Sequence, residues 1–140
     1  AKQYPKASKA FRDALAADPL TFSAAYGLAM TYKIQGQRTE AVEAFRRASV
    51  INPNHQDSYH QAAEQAFQLK RYAEAAKLLD RAIARSPFNP ASAELMARIR
   101  YAEGRLPEAR AYGEFYLSLL RPGDKTRPAY EKWVRALPVK

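Results

Sequence analysis

At 140 residues, 47% hydrophobic and 26% charged, the chain has the balance of a folded soluble domain, which sets aside intrinsic disorder. No apolar run approaches the roughly 18–20 residues that span a bilayer, and the absence of cysteine removes disulfides, thiolate catalysis and Cys-ligated metals. The net charge of +9 admits nucleic acid, anionic lipid or an acidic protein as a partner.

Helix is favoured throughout, because alanine is abundant and β-branched residues are few. The first helix is expected over residues 4–17, where Pro5 suits a first turn and Tyr4, Ala7, Phe11, Ala14 and Leu15 line one side. Asp18-Pro19 ends it, since the residue before a proline is pushed out of the α region. The second helix spans 20–35, with Phe22, Ala25, Leu28, Ala29 and Tyr32 as its apolar stripe and Gly36 as its breaker. Thr39 is expected to cap a helix over 40–51 that Asn52-Pro53 closes. Helices over 55–69 and 71–86 follow, then 90–103 and 106–120. A last helix over 127–137, capped by Asp124 or Thr126, turns Tyr130, Trp133, Val134 and Leu137 inward before Pro138 stops it.

One pattern recurs along these elements. Ala7, Phe11, Ala14 and Pro19 return 34 residues later as Ala41, Phe45, Ala48 and Pro53, and again as Ala75, Leu79, Ala82 and Pro87. Small residues let antiparallel helices approach closely, and the large one fills the gap between one helix pair and the next. The last pair departs from this. In phase, Gly113 falls in the large slot and Tyr116 in a small one, whereas a shift of two restores the sizes as Ala111, Phe115 and Ser118. Either the slots are exchanged there or the helix packs in a new register.

Together with Leu28-Ala29 and Tyr32 on the preceding helix, these slots resemble the tetratricopeptide repeat family, whose unit is a 34-residue helix–turn–helix. The resemblance covers residues 4–122 and implies an all-α fold, an α–α superhelix built as a right-handed solenoid of antiparallel helix pairs. It divides the chain into the second helix of a truncated repeat at 1–19, repeats at 20–53 and 54–87, a degenerate repeat at 88–122, and a capping helix with a basic tail at 123–140. A chain that opens in mid-repeat is expected to come from a longer array.

The family's concave groove is lined by the first helix of each pair and holds a peptide or helix of a partner protein. The resemblance therefore implies a non-catalytic interaction scaffold. The expected groove residues are Tyr26, Met30 and Lys33 (with Ile34), then His60, Gln61, Glu64 and Phe67 (with Asp57), then Leu95, Arg98 and Tyr101 (with Glu94). Co-chaperone members clamp the acidic tail of heat-shock chaperones with Lys, Asn and Arg, but the matching slots here hold Tyr26, Met30, Gln61, Ala91 and Leu95. That partner is not expected.

Asp57, His60 and Glu64 share one helix face, and such triplets are surface features far more often than metal sites. The glycines stand too far apart for a phosphate loop, and no acid–base or nucleophile constellation appears. No cofactor, metal or catalytic residue is expected, and the chain is not read as an enzyme. Nucleic acid or an anionic surface is the weaker alternative, through Arg121, Lys125, Arg127, Lys132, Arg135 and Lys140 in the tail. Cations on the second helices alternate with Glu40, Glu43, Glu74 and Asp80 as a solvated face does. A third alternative is self-association through Tyr4, Phe11 and Leu15, expected to be exposed. Cytoplasm and periplasm both suit such a soluble chain.

Overall fold

The computed structural model describes residues 3–140. Among them are eight α-helices and no strand: α1 (Tyr4–Ala17), α2 (Phe22–Ile34), α3 (Arg38–Ile51), α4 (Gln56–Gln68), α5 (Tyr72–Arg85), α6 (Pro90–Ala102), α7 (Leu106–Leu119) and α8 (Arg127–Arg135). Most boundaries follow the local chemistry expected of them. α1 carries a proline in its first turn and stops at Asp18, which is extended at φ −142° and ψ 103°. His55 and Asn89 cap α4 and α6, each accepting a backbone N–H through its side chain.

Two caps differ from expectation. α3 starts at Arg38, so Thr39 lies inside the first turn and Gln37 takes the cap position without a side-chain bond. At α8 neither the Asp124 nor the Thr126 side chain bonds a helical N–H. Asp124 instead accepts from the Thr126 amide at 2.8 Å and from its hydroxyl at 2.5 Å, which shapes the turn ahead of the helix. The turns after α2 and α6 pass through Gly36 at φ +75° and Gly104 at φ +77°. The residue midway between them in phase is Lys70, at φ 61°. The same turn is thus imposed on a residue with a Cβ, at a cost of roughly 1–2 kcal/mol.

The chain divides into two compact units, Ala1–Arg85 and Ser86–Lys140. In the first, α1 to α5 pack each against the next. Ala41, Phe45, Ala48, Ala75, Leu79 and Ala82 all have zero exposure, so the small–large–small slots are core positions. Burying a side chain such as Phe45 contributes roughly 1.5–3 kcal/mol. Phe11 lies over Gly27 of α2, where an added Cβ would stand 2.5 Å from its ring. Two expectations for α1 are corrected. Leu15 is buried among Ala24, Ala25 and Leu28, not exposed, because α2 covers it. Ala14 is exposed, not in the core as its place in the pattern implies.

In the second unit α7 packs between α6 and α8. Ala109 and Gly113 are buried while Ala111, Phe115 and Ser118 are exposed. The shifted register is therefore ruled out, and α7 keeps phase with its slots exchanged. At Gly113 an added Cβ would stand 2.7 Å from Val134 Cγ2, so the missing side chain admits α8. Tyr116 then meets the Tyr130 ring at 4.7 Å. Two arginines tie the helices end to end. Arg127 of α8 donates to the Leu117 and Leu120 carbonyls at 2.7 and 3.0 Å, and Arg110 of α7 donates to the Leu137 carbonyl at 2.6 Å. Each guanidinium reaches carbonyls at or just past the C-terminal end of the neighbouring helix, where no further turn follows to accept from.

Candidate interaction surfaces

Within Ala1–Arg85 the two first helices, α2 and α4, are joined by side-chain bonds. The Tyr26 hydroxyl donates to the Asp57 carboxylate, and Lys33 Nζ donates to Gln61 Oε1 at 2.8 Å. Tyr26 also contacts the rings of Phe22 (5.8 Å), Phe45 (5.6 Å) and His55 (5.2 Å). Burial first, then the hydrogen bond and charge of Asp57, push the Tyr26 phenol well above the usual tyrosine range. Tyr26 is thus a fixed, neutral pillar that joins α2, α3 and α4, with part of its ring still accessible. Met30, Lys33, His60, Gln61, Glu64 and Phe67 are all half-buried, the state of side chains that line a surface without being lost in the core. Phe67 packs against Tyr72 at 5.7 Å.

α6 of the second unit presents fewer of the expected residues. Leu95 is 1% exposed, so it belongs to the core and cannot meet a partner. Its neighbours Ser92, Ala93, Met96 and Ile99 are buried with it, which turns that face of α6 inward. Arg98 and Tyr101 are exposed. Arg98 pairs with Glu94 at 2.9 Å, and Tyr101 contacts Trp133 at 5.6 Å. Trp133 and Tyr130 in turn lie 5.2 Å apart. Burial first, then the Glu94 charge, raise the Tyr130 phenol above its ordinary value.

The basic surface is more committed than the sequence implies. Arg46 and Arg71 both reach Glu74, at 3.0 and 3.8 Å. Arg85 donates to the Pro53 carbonyl and sits 4.6 Å over the Tyr59 ring. Arg127, counted with the basic tail, has its guanidinium turned into the α7–α8 junction, and Arg135 pairs with Glu131 at 3.8 Å. No group of three or more metal-ligating side chains is found among the described residues, and Asp57 is engaged by Tyr26. No helix among them is long and apolar enough to cross a membrane.

α1 and α3 both pack on α2 and leave a cleft of about 380 Å³ between them, lined by Leu15, Ala25, Leu28, Tyr32, Ala44 and the rim residues Thr39, Glu40, Glu43 and Arg47. The only sequence signal for it lies in comparing copies 34 residues apart. Ala25 and Ala44 stand where the next copy has Tyr59 and Leu78.

The family model described as "Anaphase-promoting complex, cyclosome, subunit 3" matches residues 1–82, and one described as "Tetratricopeptide repeat" matches residues 66–112. No curated protein matches the sequence. Among solved structures, the crystal structure of MamA aligns with a TM-score of 0.82 at 20% identity, over 96% of this chain and 86% of that one. The first TPR of Spaghetti (RPAP3), bound to the HSP90 peptide SRMEEVD, aligns at 0.73 and 20% identity, over 81% of this chain and 90% of that one. The TPR domain of Arabidopsis OM64 gives 0.73 at 21%, over 81% and 93%. These likenesses identify the fold as an all-α helical repeat of the superhelix class. With its 34-residue period, its small–large–small slots in the core and these matches, the chain belongs to the tetratricopeptide repeat family, in general a non-catalytic interaction scaffold.

Proposed function

We propose that this chain is a non-catalytic scaffold that binds an extended peptide or a helix of a partner protein on the α2–α4 face. The observation that carries the reading is the pair of bonds between successive first helices, Tyr26 to Asp57 and Lys33 to Gln61. They hold a half-buried surface of Met30, His60, Glu64 and Phe67 in one arrangement before any partner arrives. Preorganisation lowers the ordering cost of binding, and partly accessible aromatic and thioether groups supply contact area. Tyr101 and Arg98 on α6 offer a second patch of the same character, to be tested separately. The clamp slots occupied by Tyr26, Met30, Gln61, Ala91 and Leu95 lack cations, so the peptide SRMEEVD, bound by the RPAP3 domain, is not an expected ligand of this one.

The test is selection of peptides from a random library on the whole chain, with affinities then measured by fluorescence anisotropy. Peptides of the α2–α4 class are expected to weaken at least about tenfold, 1.4 kcal/mol, on Met30→Asp and on Lys33→Glu, with SRMEEVD as the non-binding control. Selected peptides that bind both variants as tightly as the parent would sink the reading.

A further inference from the structure

We propose that the cleft between α1 and α3 is a second docking site, which takes an apolar side chain of a partner peptide followed closely by a lysine or arginine. This site is separate from the α2–α4 face and does not depend on it. The floor is apolar: Leu15, Ala25, Leu28 and Ala44 are all buried, and Tyr32 lines the cleft beside them. At about 380 Å³ the space exceeds what one large side chain needs, and it lies within the size range of built ligand sites.

Its repeat-related counterpart shows why it is open. A second cleft, of about 220 Å³, lies one period on and is lined by Ser49, Tyr59, Glu74, Lys77, Leu78 and Arg81. Position by position these replace Leu15, Ala25, Glu40, Glu43, Ala44 and Arg47. In the second cleft Tyr59 and Leu78 fill space that Ala25 and Ala44 leave empty in the first. Its rim also carries Lys77 where the first has Glu43.

Charge decides the occupant. The first rim holds Glu40 and Glu43 in a chain of net charge +9. Glu43 has only a loose 3.8 Å contact with Arg46, in which both side chains are at least half exposed. Arg47 on the rim is turned towards the Pro19 carbonyl at 3.3 Å, and Arg12 beside the cleft is engaged with the Tyr32 hydroxyl at 3.4 Å. Two exposed carboxylates beside an apolar floor complement an apolar residue with a nearby cation. A polar annex sharing Tyr32 and Glu40 extends the cleft past Ser8, Arg12, Gln35 and Gln37. Ser8 is 4% exposed, and its hydroxyl has no hydrogen-bond partner among the described residues.

The experiment uses a random dodecapeptide library displayed on phage, selected on the whole chain and then measured by anisotropy. The expected enriched class carries a large apolar residue with Lys or Arg within two positions. Its binding should fall at least about tenfold on Ala44→Leu, which copies Leu78, and on Glu43→Lys, which copies Lys77, while Met30→Asp leaves it unchanged. Both substitutions place residues already accommodated one repeat later, and an unchanged circular dichroism melt confirms folding. If Ala44→Leu proves unstable, exposed Glu43→Lys alone decides. Failure to enrich such a class, or binding that survives Glu43→Lys, overturns the proposal. So does self-association of the wild type, seen by sedimentation and abolished by Glu43→Lys, because the cleft would then belong to a second copy.

Discussion

α3 and α7 occupy the same place in the repeat and solve it in opposite ways. In α3 the large slot holds Phe45, which is fully buried and meets the Tyr26 ring. In α7 the same slot holds Gly113, and the space is taken by Val134 of α8. A helix pair followed by another of its kind needs a side chain to fill the gap. A pair followed by a single short helix packed directly on it needs a gap for that helix to enter. One position in the repeat can therefore specify either continuation or change, according to whether it supplies volume or withholds it.

The largest effect is expected at Phe45. Phe45→Ala opens a cavity in the first unit and is expected to cost about 3–5 kcal/mol, read as a lowered midpoint in urea denaturation. An unchanged midpoint would remove Phe45 from the core. At the other end, Gly113→Ala places a methyl against Val134. Overpacking of roughly 1–3 kcal/mol outweighs the gain of up to about 1 kcal/mol in helix propensity, so the variant is expected to be less stable. In a Val134→Ala background the same change should become neutral or stabilising, and a double-mutant cycle without coupling would refute the close approach.

Two smaller effects sharpen the comparison at turns. Lys70→Gly gives the middle copy the residue its neighbours have at Gly36 and Gly104, and should add up to about 1 kcal/mol of stability. A loss of stability would show that the Lys70 side chain contributes more than its backbone strain takes away. Asp124, which accepts first from the Thr126 hydroxyl and then from its amide, has its carboxyl held below the usual range. Its contribution is present above the ordinary carboxylate range and lost as pH falls through the lowered value. The Thr126 amide resonance should move in that window, and a pH-independent shift would show the turn to stand without Asp124.

Much of the architecture was legible in the chain because core slots leave a size pattern. Ala41, Phe45 and Ala48 announce their burial by spacing alone, and so do Ala75, Leu79 and Ala82. The surface was less legible. Leu95 sits at a groove position by counting, yet it is buried in the core, and which face of α6 turns inward is fixed by neighbours far away in sequence. Arg127 reads as tail charge but serves as a cap, because only the antiparallel approach of α8 brings it to the end of α7.

The period, the helices and the family are readable from the chain alone, since they follow from local propensity and from residue size repeated at a fixed interval. Three things emerge only on folding: how α7 resolves its exchanged slots, what Tyr26 is bonded to, and that Ala25 and Ala44 leave a cleft over α2. Those depend on volumes and partners supplied by other helices, and a position cannot show what faces it until the chain has folded.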